Sequence, residues 1–500
     1  MEAVVAIAED LAVIHDPMSE QAFHVEQHGV DFIPESERWS KPRDLFGMWA
    51  GASINVEYFI YGAVLMTFGF SFGQALSLII IGNLSYFLLG ICSLQGPDAG
   101  TTVFGINRAS YGPNGSRIIS FFNWITQVGF EIEGLLLIVG AGLVLSGKAG
   151  FDPGDPAKVA LVIGAVAVQF VLPFLGHATI VKTLRLLVLP FIVLFIIMLI
   201  FVAPHAHTSG KTYADWQVYF SGLAFTIALS GLGWTECGND YSRYLPRKSS
   251  TQKIILWIFL GTAVPEILLM TLGAITGTLL TAVGTSANAF LPFLHQSIIA
   301  PWFVDVFLIF CIIQLFAINS LDLYSSGVTL QAMGLKVKRW QAVVVDSVFC
   351  LAITMFAIFN ASFNTYLKDF VDVVIVWIAP WVAIYLVDWA LRRYRYVPSE
   401  LQKTGKDGLY YRSGGYYWPA MIAQFLGMVA ALAGLNPTFN VPNWLISVSW
   451  LTGSDGFTRA DFSIYMGVAV GGLVYLVLAW KGVKAQADKQ DALLKAEGIF

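Results

Sequence analysis

Ser230-Gly231-Leu232-Gly233-Trp234-Thr235-Glu236-Cys237-Gly238-Asn239-Asp240 closes the sixth apolar run of this chain, and its reading decides the fold. Small, flexible residues, an amide and two carboxyl side chains stand where a plain membrane anchor carries apolar groups. An ionisable side chain in hydrocarbon is costly and is tolerated where it faces a cavity or a partner. Glycines at such a place let a helix open, so that backbone carbonyls and amides are free to bind a ligand. The first apolar run holds a matching stretch, Trp49-Ala50-Gly51-Ala52-Ser53-Ile54-Asn55-Val56-Glu57. Spans one and six correspond if spans one to five and six to ten form two inverted repeats. Interrupted spans in corresponding positions are the best sequence pointer to a transporter's central site. The alternative is that the glycines serve only close helix packing. That reading suits either stretch alone better than the pair.

The rest of the chain supplies the membrane. Mean hydropathy is +0.68, with 56% hydrophobic and only 12% charged residues, which excludes an ordinary water-soluble globule. Twelve runs of spanning length are expected at 46–70, 74–94, 117–146, 157–175, 181–203, 217–235, 251–278, 303–330, 341–360, 368–391, 418–435 and 463–481. Such long continuous runs exclude an outer-membrane barrel, which would show short alternating strands. Assigning the connections alternately to two sides puts 24 of the 29 Lys and Arg on one side. The other side has only Lys148, Lys158, Lys211, Lys368 and Arg459. Positive residues stay inside, so an even number of spans with both termini in the cytoplasm is expected, in a plasma or bacterial inner membrane.

Residues 1–45 are polar, acidic and broken by Pro17, Pro34 and Pro42, and read as a cytoplasmic tail rather than a signal peptide. The expected organisation continues with a first repeat over 46–203 and a second over 217–391. A cytoplasmic loop follows at 392–417, then two further spans within 418–481 and a cytoplasmic tail over 482–500, expected as a frayed helix from Gln486. Segment 279–302 has room for a short outer helix. Cys92, Cys237, Cys311 and Cys350 show no paired spacing and read as small apolar residues, with neither disulfide nor metal expected. The phosphate-loop, HExxH and CxxC patterns are all missing, which disfavours an ATP-driven pump or an enzyme and implies no cofactor. The cytoplasmic basic residues are explained by topology and anionic headgroups, without nucleic acid.

Other polar residues lie within the spans. Asn55 and Glu57 belong to the first interruption. The third span holds Asn123, Gln127, Phe130, Glu131 and Glu133. Glu131 and Glu133 are separated by about 200° around a helix and do not share one narrow cavity, whereas Gln127 and Glu131 are one turn apart. The eighth span holds Gln314, Asn319 and Asp322, and the last two lie three apart on one face. An amide offers both donor and acceptor, matching the edge of a heterocyclic amide; the alternative is an interhelical hydrogen bond. Asp388 precedes Arg392 by one turn, so a local ion pair accounts for it.

With these residues in view, the chain resembles the purine–cytosine permease branch of the nucleobase:cation symporter-1 family. The entry Gly29-Val30-Asp31-Phe32-Ile33-Pro34-Glu35-Ser36-Glu37-Arg38 and the motif Asn239-Asp240-Tyr241-Ser242-Arg243-Tyr244-Leu245-Pro246 carry the resemblance. Pro97-Asp98-Ala99-Gly100-Thr101 and Ala379-Pro380-Trp381 through Asp388-Trp389 add to it. The resemblance implies an all-α polytopic membrane protein of twelve transmembrane helices. Its core would be a 5+5 inverted repeat of the LeuT-like type, with two more helices at the C-terminal end. It also implies symport of a flat heterocycle, with cytosine or a purine base favoured. Related vitamins and ureides such as pyridoxine, thiamine or allantoin, an amino-acid carrier of the same fold, and a membrane receptor that binds a nucleobase without moving it stand as alternatives.

By motif position the resemblance implicates Ser230, Gly231 and Gly233, Asn319, and the Phe130–Glu133 stretch in substrate binding, joined by Asn55 and Gln127. Asp240, Tyr241, Arg243 and Tyr244 fall where a cytoplasmic gate is expected. Sodium-coupled relatives place adjacent hydroxyl residues where this chain has Ile313 and Gln314. H+ is therefore favoured over Na+, with Glu57, Glu131, Glu133 and Asp322 as proton-carrying candidates. The expected functional unit is a monomer in lipid.

Overall fold

The computed structural model describes residues 32–151, 154–171, 177–207, 216–283, 298–335, 339–360, 363–435 and 460–498. All regular elements among them are helical. In chain order they are α1 (Asp44–Ser53), α2 (Val56–Met66), α3 (Phe72–Asn83), α4 (Tyr86–Cys92), α5 (Gln95–Ala99) and α6 (Val103–Tyr111). There follow α7 (Pro113–Lys148), α8 (Asp155–Val171), α9 (His177–Val202), α10 (Trp216–Ile227), α11 (Gly238–Ser242) and α12 (Thr251–Val283). The last are α13 (Pro301–Ala332), α14 (Arg339–Asn360), α15 (Phe363–Leu391), α16 (Pro398–Gln402), α17 (Trp418–Gly434) and α18 (Ser463–Ala496).

Ten helical stretches among the described residues are long and apolar enough to cross a membrane, which corrects the expected twelve. The two that fall away do so for different reasons. Residues 46–70 are not one helix but α1 and α2, of 10 and 11 residues, each too short for about 30 Å of hydrocarbon. The fourth expected run is described only over the 17 residues of α8, and residues 172–176 that follow lie outside the described residues. The C-terminal segment is helical, as expected, but packed rather than frayed. Helix α18 runs unbroken to Ala496, and its last turns are tied down: Gln486 and Gln490 are buried, and Arg393 reaches Asp488 at 2.5 Å and also Asp491. The short outer helix allowed for in 279–302 falls mostly on 284–297, outside the described residues.

Packing sorts the helices into neighbours. Helix α13 lies along α7, α12 along α1 and α2, and α15 against α17 and α18. Glycine brings α2 and α12 together: a Cβ at Gly62 would collide with the Met270 carbonyl, and one at Gly273 with that of Phe59. The third cluster is pinned by a buried ion pair. Asp388 accepts from Arg392 Nε at 2.7 Å, from Tyr475 Oη at 2.6 Å and from Ser110 Oγ at 3.1 Å. Arg392 in turn donates to Gln486 Oε1 and to the Ala109 carbonyl, both at 2.7 Å. Burial works against the Arg392 charge, but Asp388 together with Tyr410 and Tyr475 raises the guanidinium above its ordinary value. A buried pair satisfied this fully is strongly destabilised by loss of either partner.

Candidate functional site

The two stretches singled out from sequence are both interrupted. Helix α1 ends at Ser53, and Asn55 is extended (φ −137°, ψ 146°), its side chain accepting from Glu57 N to cap α2. Such a break strands backbone groups that a continuous helix would pair. Gln314 on α13 takes up two of them. Its amide NH2 donates to the Ile54 carbonyl, and its carbonyl accepts from Val56 N at 3.2 Å. At the second break, Ala228–Leu232 is a wide turn with Ser230 outside the helical region (φ −103°, ψ −127°). Here Gly231 N donates to Ser85 Oγ at 2.9 Å, and Gly233 N reaches back to Ala228 O at 3.1 Å. Only glycine fits at 231, where a Cβ would run into the Ser85–Tyr86 backbone.

The breaks meet at one chamber. Trp234, just past the second, donates its indole N–H to Tyr58 Oη on α2 at 2.8 Å. Its ring stands edge-on to Trp49 of α1, with centroids 5.5 Å apart. The walls carry Glu57, Tyr58 and Tyr61 from α2, Gln127 and Phe130 from α7, and Ile318 and Asp322 from α13. Leu229, Gly233, Trp234 and Glu236 complete it from the sixth run. Aromatic faces suited to a flat ring thus surround a few hydrogen-bonding groups. Glu57 Oε2 accepts from Asn55 Nδ2 at 2.7 Å, and Glu236 Oε1 from Gln127 Nε2 at 3.1 Å.

Five of the residues singled out from sequence line this space: Glu57, Gln127, Phe130, Gly233 and Asp322. The others lie around it. Asn55, Ser230 and Gly231 build the breaks. Glu133 accepts from Tyr61 Oη at 2.7 Å, one layer behind the wall. Glu131 lies on another side of α7, against α8 and α14, where it accepts from Gln169 Nε2 at 3.1 Å and Cys350 Sγ at 3.2 Å. Although one turn from Gln127, it is not a wall residue. Asn319 is not one either: its NH2 group donates to the Glu131 carbonyl and to Gln169 Oε1, both at 2.9 Å, beside Gly134.

Tyr58, Tyr61, Trp234 and Glu236 were missed as site residues. Tyr61 sits one turn beyond Glu57, and that spacing was available as a signal. Glu266 on α12 is a further buried acid beside the first break. Fully buried, it accepts from Ser53 Oγ at 3.0 Å and from Tyr86 Oη, linking the end of α1 to α4.

Below the chamber, toward the end of the bundle where the segment 32–43 packs, the expected gate residues form one layer. Tyr241 stands edge-on to Trp49 with centroids 5.4 Å apart, and Trp39 lies 5.8 Å from Tyr244. Arg243 Nη2 donates to Tyr244 Oη at 3.2 Å, and Asp240 Oδ1 accepts from Val103 N at 3.3 Å. Asn239 ties this layer to α5 and α15 through Gly96 N at 2.7 Å and Tyr385 Oη at 2.6 Å. The segment 33–40 crosses it: Ile33 N donates to Gly100 O at 2.8 Å, Arg38 Nη1 to Pro97 O at 2.5 Å and Ser40 N to Tyr244 O at 3.2 Å. Burial lowers the Arg38 guanidinium from its ordinary value, with Glu35 opposing. Among the described residues no group of three or more His, Cys, Asp or Glu is arranged to hold a metal ion.

A helical membrane bundle with two interrupted helices meeting at an aromatic and polar chamber defines a membrane transporter. The chain belongs to the family of permeases for cytosine/purines, uracil, thiamine and allantoin, whose pattern matches residues 32–453. It is 26% identical over 480 residues to the putative purine-cytosine permease YxlA of Bacillus subtilis, covering 94% of this chain and 99% of that one. The purine-cytosine permease FCY21 of Saccharomyces cerevisiae is 26% identical over 389 residues, covering 72% and 70%. Among solved structures, Mhp1, a nucleobase-cation-symport-1 family transporter, in a closed conformation with bromovinylhydantoin bound, superposes with a TM-score of 0.68 at 18% identity. That match covers 93% of this chain and 99% of Mhp1, and the inward-facing form of Mhp1 gives the same score. At such identity the likeness is one of fold, an all-α inverted-repeat bundle.

Proposed function

We propose that this permease imports a planar nitrogen heterocycle, cytosine or a purine base, by symport with H+, acting as a monomer with both termini in the cytoplasm. The observation that carries the reading is the chamber at the two breaks. Trp234, Tyr58, Tyr61 and Phe130 offer ring faces, and Gln127, Glu57, Glu236 and Asp322 offer hydrogen-bonding edges. Asn55, Ser230, Gly231, Glu133 and Asn319 act in this reading through the shape of the breaks and the layer behind the wall. Asp240, Tyr241, Arg243 and Tyr244 close the cytoplasmic end until one bundle rocks against the other.

Support for H+ over Na+ comes from Gln314. A sodium ion at the first break would need free hard oxygens, but the Ile54 carbonyl is taken by the Gln314 amide. Ile313 supplies no side-chain oxygen there. The carboxyl groups of Glu57, Glu131, Glu133 and Asp322 are instead able to gain and lose a proton as access alternates.

Initial uptake of labelled cytosine and adenine into sealed proteoliposomes tests this, with Na+ and pH gradients imposed separately. Acceleration by an inward proton gradient in Na+-free buffer is the expected result. Acceleration by Na+ alone, with no response to protons, would refute the coupling. Counterflow without response to either gradient would make the protein a facilitator.

A further inference from the structure

Glu236 is one of the hydrogen-bonding groups of the chamber, and its geometry says which ligand group it reads. It sits on a single tight turn, Thr235–Cys237, immediately after Trp234, and is 1% exposed. One carboxyl oxygen, Oε1, is held by Gln127 Nε2 at 3.1 Å. The other, Oε2, is buried and has no hydrogen-bond partner among the described residues, although the side chain lines the chamber. A buried acceptor left unmatched is costly, so a site built this way is completed by a donor brought by the ligand. The bond from Gln127 fixes the plane of the carboxyl group and hence the direction of the free oxygen. Glu57 and Asp322 line the other walls, and none of the lining residues is Lys, Arg or His. In their ionised form these carboxylates favour ligand N–H groups and oppose ligand lone pairs.

We infer that Glu236 is a specificity-determining residue whose free oxygen accepts from an exocyclic amino group of the substrate, so that the chamber takes amino-substituted heterocycles in preference to their oxo counterparts. This rests on the proposed function and adds the edge that is read. An oxo group at the same position sets lone pair against lone pair. The loss then includes both the missing hydrogen bond and the unmatched buried oxygen, which is how polar sites discriminate strongly between analogues of equal size.

The test is equilibrium binding to the purified full-length protein in lipid nanodiscs, using cytosine against uracil and adenine against hypoxanthine at one pH. The wild type is expected to bind the amino member of each pair roughly 5- to 150-fold tighter. Glu236→Gln keeps an acceptor for Gln127 and turns an NH2 toward the ligand, so it should remove or reverse the preference with the unfolding midpoint little changed. A wild type that binds amino and oxo members equally would overturn the assignment, as would an E236Q variant that keeps the wild-type ratio. If E236Q does not fold, N4,N4-dimethylcytosine decides on the wild-type protein. Lacking the amino donor, it should bind far more weakly than cytosine, and equal binding would overturn the inference. Binding of heterocycles without an amino preference refutes only the role of Glu236, whereas no binding of any heterocycle refutes the proposed function and this assignment with it.

Discussion

Gln314→Ala removes the side chain that completes the first break. The structure gives the size of the effect. Truncation strands the Ile54 carbonyl and the Val56 N–H, which lie in residues only 9% and 1% exposed. Each buried, unmatched backbone group costs about 1–3 kcal/mol, so the pair costs about 2–6 kcal/mol. That is a large share of the roughly 5–15 kcal/mol that holds a typical domain folded. Reversible unfolding in mixed micelles, followed by tryptophan fluorescence, reads the loss directly. Gln314→Glu supplies an internal control. Its carboxyl still accepts from Val56 N, but only its protonated form can donate to Ile54 O. Stability of this variant should therefore rise as pH falls, while the wild type shows no such component from this site. A Q314A protein within about 0.5 kcal/mol of wild type, the range of an inconsequential surface change, would show that the break stands without the amide. It would also remove the main support for H+ coupling, since the Ile54 carbonyl would then be free in practice.

Asn319→Ala should lower stability by about 1–3 kcal/mol by leaving Gln169 Oε1 and the Glu131 carbonyl short of a donor, with cytosine affinity changed less than about fivefold; thermal unfolding and ligand titration on the same sample check both halves. Asp388→Asn should cost about 3–5 kcal/mol, because it leaves the buried Arg392 charge uncompensated; replacing both residues with apolar ones of similar volume should recover much of the loss in the same unfolding assay. Gly231→Ala should cost about 1–3 kcal/mol through its collision with the Ser85–Tyr86 backbone, and a variant as stable as wild type would mean that the sixth run does not pack on α4 as described.

The sequence and the structure part company in ways that have physical causes. Both interruptions were legible because glycine, amide and carboxylate together contradict a lipid-facing helix. The span count was not, because hydropathy averages over a window and does not register that Ile54 and Asn55 leave the helical region. In the site, Glu57 and Asp322 stood out as acids in an apolar setting, whereas Tyr58, Tyr61 and Trp234 were hidden among 19 Tyr and 15 Trp. Single aromatics in a membrane protein carry little positional information until a backbone orients them. Glu131 and Glu133 show the strength and the limit of helical geometry. Their spacing correctly sends them to different neighbours, Gln169 and Tyr61, but no periodicity tells which direction faces the chamber. Asn319 is a polar residue whose partner, Gln169, lies 150 positions away, and such pairings are set by tertiary packing alone.

In the proposed cycle, the segment from Ile33 to Ser40 would act on the energetics of movement. It joins three parts of the gate layer through Gly100, Pro97 and Tyr244, and Glu35 accepts from Arg247 N at 3.0 Å. If opening at this end parts those contacts, four hydrogen bonds at about 0.5–1.5 kcal/mol each act as a latch of about 2–6 kcal/mol. At the middle of that range the latched form outnumbers the open one by about a thousandfold. In the proposed cycle a segment that does not line the chamber would thereby set how rarely the chamber empties on that side, and deleting residues 33–40 would exchange tight closure for faster turnover.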